Sequence, residues 1–502
     1  MSFKFYALLL ALMPSIQATQ VANFNVSESI SSKYGCDSAC YKNFQEGLSV
    51  DAASYGAIYD TTFYETAHNF SSSEPGDALK LEPVNATLLH DIPKGTTAYR
   101  FQYVSKDLDG KKIPVTGFIA FPYASRLNGH VYLAIAYGHG TSGVFRGCAP
   151  SAMRSLYEYG SWAFLVSRGY AVIATDYAGL GNNYTAHQYQ ASPAQAHDLY
   201  YSIAAPRKLF GHALTDEWMS VGHSQGGGAA WALAESSLLH EGPLSLGRYL
   251  GTVAQAPGVR LQDMALAAIQ GSSSSDPASA RGVLVETGWL VLGLQSILPN
   301  DPQTWLQPKF RNRLELATLS QACYASMRSL IADRNITDFA NISDPSLHLA
   351  LEKMQDITAR GESKSPQPIF IVQGLSDVSV LPQVVETAYN ASCQSGNEVH
   401  IQTYPGIDHD PVIPASAPSF LRWIDDRFDG TKTTGGCSNK MIQPFDSINM
   451  YAPSDANWSN VPVSAICCRL WHLKSVEMGD RIWRVRSLYR KRPLSYRSLP
   501  LQ

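Results

Sequence analysis

The chain is 502 residues long and close to charge balance, with 39 Lys and Arg against 42 Asp and Glu. A net charge of −3 and a charged fraction of only 16% give no electrostatic footprint for nucleic acid or another polyanion. At 45% apolar residues the length suffices for two or three average domains, and large α/β enzymes fill it with insertions.

The N-terminus reads as an export signal over residues 1–18: Lys4, the apolar run Phe5 to Met13, then small residues ending at Ala18. That run is shorter than the roughly 20 residues a membrane span requires, and no later stretch qualifies, so no transmembrane segment is expected. Eight N-x-S/T sequons, at Asn25, Asn69, Asn85, Asn183, Asn335, Asn341, Asn390 and Asn457, suit a glycosylated extracellular protein. In an oxidising compartment the eight cysteines favour disulfides over metal sites. Cys36 and Cys40 suggest zinc only if a second Cys/His pair lies at finger spacing; none does, and a local disulfide is the better reading.

Residues 19–80 are rich in Ser, Asn and Gly and show little periodicity. Two strands follow, Ala98 to Ser105 and Ile113 to Phe121, joined by a turn at Asp109-Gly110. Val131 to Tyr137 is a buried strand running into Gly138-His139-Gly140-Thr141. A helix over about Ala152 to Ser167 leads to strand Ala171 to Thr175, which ends in Asp176-Tyr-Ala-Gly-Leu-Gly181. A helix over about Ala194 to Leu209 precedes the most telling segment, Gly222-His223-Ser224-Gln225-Gly226. It sits between the short apolar run Trp218, Met219, Val221 and a small-residue helix start, Gly227 to Ala234. That context defines a nucleophile elbow, a strained strand-to-helix turn exposing the Ser224 hydroxyl.

Leu250 to Gln255 is the next strand, after which alternation stops. Residues 259–365 read as a helical cap inserted over the sheet. Alternation resumes with strand Ile369 to Gln373, helix Leu381 to Ser392, strand Val399 to Tyr404 and helix Ala417 to Phe428. Apolar strands alternating with helices predict an α/β fold, its mainly parallel sheet covered on both faces. Residues 19–258 and 366–462 form the two parts of that core, and 463–502 are a basic tail, solvated or disordered.

A serine hydroxyl is a poor nucleophile until a base takes its proton, and the base needs an acid to hold its tautomer. Strand Ile369 to Gln373 ends in Gly374-Leu-Ser-Asp377, and Tyr404-Pro-Gly-Ile-Asp-His409 supplies a histidine on the loop before the last helix. Ser224, Asp377 and His409 thus fall in the chain order of an α/β-hydrolase triad, all at strand carboxyl ends. Asp408 and Asp410 are rival acids, but sequence neighbours of a histidine seldom reach its own Nδ1. His223 is read as a packing residue, and Asp176 as fixing its own loop. The oxyanion is assigned the N–H of Gln225 and one from the His139-Gly140-Thr141 loop, taken as Thr141. No metal or cofactor is called for.

On Gly138-His-Gly-Thr141, Cys148-Ala-Pro-Ser151, Asp176-Tyr-x-Gly-Leu-Gly181, Gly222-His-Ser-Gln-Gly226 and the Asp377 and His409 loops, residues 80–450 resemble the fungal secretory lipases, of the Candida lipase A type. The resemblance implies an α/β-hydrolase fold with a helical cap before the acid's strand, and disulfides Cys148–Cys323 and Cys393–Cys437. Yeast members carry an acidic residue near the oxyanion site where this chain reads Gly-His-Gly-Thr. The activity implied is that of a secreted triacylglycerol lipase meeting a lipid or other ester substrate, with transient contact at a lipid interface. A secreted peptidase or short-chain esterase on the same fold is the main alternative, and a non-catalytic binding protein a third. Val283-Leu-Val285 and Trp289 to Leu294 either line an acyl channel or lid, or form an ordinary buried cap helix.

Overall fold

The computed structural model describes residues 20–241, 246–271, 277–334 and 336–451. The export signal, the whole basic tail and the sequons at Asn335 and Asn457 lie outside them.

Ten strands form one sheet: β1 (Ala78–Pro83), β2 (Thr97–Lys106), β3 (Lys112–Phe121), β4 (Tyr132–Gly138), β5 (Ala171–Thr175), β6 (Leu214–His223), β7 (Arg248–Gln255), β8 (Ile369–Gly374), β9 (Val399–Tyr404) and β10 (Ser438–Met441). Their order is β1-β2-β3-β5-β4-β6-β7-β8-β9-β10. The β1–β2, β2–β3 and β3–β5 pairs are antiparallel, and every pair from β5–β4 onward is parallel. Strands β4, β5 and β8 are buried along their whole length, which is why they read as unbroken apolar runs. Alternate residues feed separate cores: Ala134, Ala136 and Ile173 pack on one face, Ile135, Tyr137 and Val172 on the other.

Helices of eight or more residues are α1 (Ser38–Ser54), α2 (Ser192–Phe210), α3 (Gln225–Ala234), α4 (Leu261–Gly271), α5 (Pro277–Ile297), α6 (Pro308–Ser320), α7 (Tyr324–Ile331), α8 (Pro345–Thr358), α9 (Pro382–Gln394) and α10 (Val412–Phe428). Helices α4 to α8 form the cap between β7 and β8. Its interior, around Trp289, Trp305, Phe310 and Met327, is continuous with the core beneath β7 and β8. Each large apolar side chain buried there contributes about 1.5–3 kcal/mol.

Among the described residues three disulfides are formed: Cys36–Cys40, Cys148–Cys323 and Cys393–Cys437. The second joins the loop after β4 to the cap, and the third joins α9 to the segment leading into β10.

Two expectations fail. A 3-10 turn ends at Ala152, residues 153–162 are turns and bends, and the α-helix covers only Ala163–Ser167. Leu156 and Tyr157 adopt positive φ, and the Glu158 carboxylate accepts the N–H groups of Gly160, Ser161 and Ala163, so side-chain bonds replace the helical ladder. Residues 19–80 are likewise not irregular. They contain α1, whose buried face is Cys40, Phe44, Gly47, Leu48 and Asp51, a helical stripe with two non-apolar members.

Candidate active site

Strand β6 delivers Ser224 into a turn with φ 58° and ψ −118°, a left-handed conformation that costs a non-glycine residue energy. The neighbouring backbone holds it there: the Ser224 N–H donates to Gln255 O at 2.9 Å, and its carbonyl accepts from Gly228 at 3.1 Å and Gly258 at 2.8 Å. The flanking glycines are sterically required. A Cβ on Gly222 would fall 2.0 Å from Gly226 O, and one on Gly226 would fall 2.0 Å from Gly138 O. Gly138 and Gly222 are register partners of β4 and β6, so the loop through His139, Gly140 and Thr141 and the elbow leave the sheet side by side.

Asp377 lies in the loop after β8 and His409 in the loop after β9. His409 Nδ1 is 2.8 Å from Asp377 Oδ2, and both side chains are almost wholly buried. The other Asp377 oxygen accepts the N–H groups of Ser379 at 2.9 Å and Val380 at 2.8 Å, while Gln373 Nε2 donates to Oδ2 at 3.0 Å. These bonds hold the carboxylate in place, with both of its oxygens used as acceptors. With Nδ1–H donating to it, His409 presents Nε2 as a base.

The rival acids serve otherwise. Asp408 Oδ1 accepts the N–H groups of His409 at 2.8 Å and Val378 at 3.2 Å, stitching the two loops together. An Asp410 oxygen lies 3.8 Å from His223 Nε2. His223 is more than packing: its ring centre is 4.7 Å from that of His409, and its Nδ1 bonds Tyr159 Oη at 2.8 Å. Burial, reinforced by His409, holds the His223 imidazole well below its usual pKa, so it stays neutral. Asp176 accepts from Thr116 Oγ1 and from Ser151, tying its own loop to β3. His223, His409 and Asp410 bring one potential ligand atom each within 4.8 Å of one another, but Asp377 already engages the His409 ring.

Gln225 opens α3, so its N–H has no intrahelical acceptor. Its side chain is pinned by His187, Nε2 to Nε2 at 3.1 Å. The His187 Nδ1–H is bonded to Ala178 O at 2.8 Å, which makes Nε2 the acceptor for Gln225. Thr141 is buried; its carbonyl accepts from Tyr157 Oη, and its Oγ1 is 2.7 Å from Tyr189 Oη. A Cβ on Gly140 would sit 3.7 Å from Ser224 Cβ, which sets this loop directly beside Ser224.

An apolar cavity runs from Ser224 into the cap. Tyr189, Gln190 and Gly258 stand with Ser224 at one end; Met264, Leu290, Leu294, Trp305, Phe339 and Met354 line the rest. Leu290, Val291 and Leu294 of α5 all face it, whereas Trp289 is buried and stacks on Tyr324 at 5.5 Å. The side chains of Val283 to Val285 lie outside the described residues. Two polar residues in this wall, Tyr189 and Glu286, carry no local sequence signal of a site; only the fold brings them to Ser224.

Residues 285–436 match the family model described as secretory lipase. Over 408 residues the chain is 22% identical to a secreted triacylglycerol lipase of Malassezia globosa, covering 76% of this chain and 82% of that one. Among solved structures, Candida antarctica lipase A in its closed state superposes with a TM-score of 0.58 at 17% identity, covering 82% of this chain and 95% of that one. The rice cell wall degrading esterase LipA from Xanthomonas oryzae gives 0.56 at 18% identity, covering 72% and 100%. The α/β-hydrolase fold is common to all of them.

Proposed function

We propose that this chain, a relative of the secretory lipases, is an extracellular triacylglycerol lipase working through Ser224, His409 and Asp377. The observation that carries the reading is an apolar cavity beginning at Ser224 and continuing through the cap, beside a buried His409–Asp377 pair. A fatty acyl chain would leave water for that cavity at a gain of about 0.8 kcal/mol per buried CH₂. A peptide backbone would enter it with its N–H and C=O groups unpaired, at a penalty. The cavity therefore favours a long acyl chain over a peptide or a short acyl group.

Ser224 Oγ attacks the ester carbonyl as His409 Nε2 takes its proton, and Asp377 stabilises the imidazolium. The Gln225 N–H and the Thr141 loop would hold the oxyanion. His409 then returns the proton to the departing glycerol oxygen, and water activated by the same imidazole releases the fatty acid. Export agrees with the leader-like residues 1–18. It also agrees with the exposure of every sequon asparagine among the described residues: Asn25, Asn69, Asn85, Asn183, Asn341 and Asn390.

The test is fluorophosphonate labelling of wild type and Ser224→Ala, with fatty-acid release from trioleoylglycerol measured alongside hydrolysis of peptide substrates. Labelling of wild type alone, with ester turnover dominant, is the expected result. A folded wild-type protein that stays unlabelled at Ser224 removes the nucleophile. Dominant peptide cleavage would instead make the protein a peptidase.

A further inference from the structure

Three side chains from different parts of the fold meet beside the nucleophile. Thr141 follows β4, Tyr189 precedes α2, and Glu286 belongs to cap helix α5. Tyr189 Oη is 2.7 Å from Thr141 Oγ1 and 3.2 Å from Glu286 Oε2, so one phenol bridges the oxyanion loop and a cap carboxyl. Tyr189 and Glu286 both line the cavity that holds Ser224. We propose that Glu286, Tyr189 and Thr141 form a hydrogen-bond relay through which the cap decides whether the Thr141 hydroxyl donates to the oxyanion. The inference rests on the reading of Ser224 as nucleophile and of the Thr141 loop as its oxyanion side.

The relay follows from counting donors. A hydroxyl has one proton and two lone pairs; an ionised carboxylate only accepts, whereas a protonated carboxyl also donates. With Glu286 ionised, Tyr189 must point its proton at Glu286. The contact between Tyr189 and Thr141 is then made by the Thr141 proton, which is spent on the phenol. With Glu286 protonated the chain can run the other way: Glu286 donates to Tyr189, Tyr189 donates to Thr141 Oγ1, and the Thr141 proton is released to face the substrate. No proton is transferred to substrate or product. Loss of the Glu286 proton to solvent reverses two hydrogen bonds.

The surroundings favour the protonated form more than water does. Burial raises the Glu286 carboxyl above its ordinary value, and Asp410, from the loop before α10, raises it further. Arg328 of α7 and His409 act against this, and the Tyr189 hydrogen bond lowers it too. Tyr189 stays a neutral phenol, because burial and the Glu286 charge both push its pKa well above the usual value.

The test compares wild type, Glu286→Gln and Tyr189→Phe in pH profiles of kcat and KM on soluble p-nitrophenyl butyrate, with fluorophosphonate labelling in parallel. Wild type should lose kcat on an alkaline limb as Glu286 ionises, with KM little changed. Glu286→Gln, whose amide donates at every pH, should keep the low-pH kcat and lack that limb. Tyr189→Phe should lose about tenfold in kcat at low pH, less than the roughly 10²–10³ of a lost oxyanion donor, because Thr141 keeps its proton and loses only the partner that aims it, and it should also lack the limb. A purely structural role would lower stability without removing an ionisation. Labelled variants with the wild-type profile would overturn the relay; absence of labelling in wild type would overturn the reading beneath it.

Discussion

Two imidazoles stand with ring centres 4.7 Å apart, and their surroundings give them opposite duties. His409 is hydrogen-bonded to the Asp377 carboxyl. His223 is bonded to a phenol, and burial holds its pKa well below the usual value. His223 should therefore add no ionisation of its own in the working range. With His409 as the proposed base, log kcat/KM for a soluble ester is expected to fall with unit slope on acidification, because a protonated ring cannot accept from Ser224. A slope of two would mean that His223 titrates as well. At this scale Ser224, Asp377 and His409 were legible because each follows a strand whose apolar run marks its end. Glu286 and Tyr189 were not legible. A lone Glu beside Val283-Leu-Val285 and a Tyr between two Gln residues look like ordinary surface features until the cap is folded over β4 and β6.

Among the elements, the α1–α7 pair shows how the N-terminal segment is joined to the cap. Asp51 of α1 accepts the N–H groups of Ala325 at 3.0 Å and Ser326 at 2.8 Å, satisfying donors at the start of α7. The two helices close on Gly47, where an added Cβ would lie 2.6 Å from Ser329 Oγ and 2.8 Å from Ala325 O. Gly47→Ala should gain about 1 kcal/mol of helix propensity and lose more to forced separation, about 1–3 kcal/mol. The expected net result is a lower melting temperature, and a higher one would show that the helices can move apart freely. The same pair explains why α1 went unread. Gly47 and Asp51 occupy buried positions for close approach and capping, so the apolar stripe is interrupted where the packing is tightest. Strand β10 was hidden differently: all four of its residues are exposed, and it is held by its ladder to β9 and the nearby Cys393–Cys437 bridge.

Across the molecule, buried titratable groups set how stability responds to pH. Burial pushes Asp51 and Asp176 up to about 6, and Glu158, Asp198 and Glu235 up to about 7. The unfolded chain releases those protons near pH 4, so between these values the folded state binds more protons and gains stability as pH falls. His139 and His187 are held at about 4, and His197 and His223 are also lowered. Below about 6.5 the unfolded imidazoles take up protons that the folded ones refuse, and stability is lost. The melting temperature should therefore rise from pH 8 to about 6.5, then level off as the two sets oppose each other. A steady fall from pH 8 downward would show that these carboxyls are ionised in the folded state. The parallel core and the inserted cap were legible from strand–helix alternation and its interruption. This balance was not, because burial of a particular Asp or His is decided by contacts far away in the chain.

The Cys148–Cys323 bridge has a consequence for how the molecule comes into being. Its two cysteines are separated by 175 residues, so at synthesis rates of about 5–20 residues per second Cys148 waits roughly ten to thirty-five seconds for its partner. Cys36 and Cys40, four residues apart, can meet at once and withdraw as wrong partners for it. Ser224, the proposed nucleophile, also emerges well before His409, its proposed base, because the cap separates them along the chain. The growing polypeptide thus carries an unactivated serine and one unpaired thiol until the cap is complete, and hydrolytic competence arrives only with the last strands of the sheet.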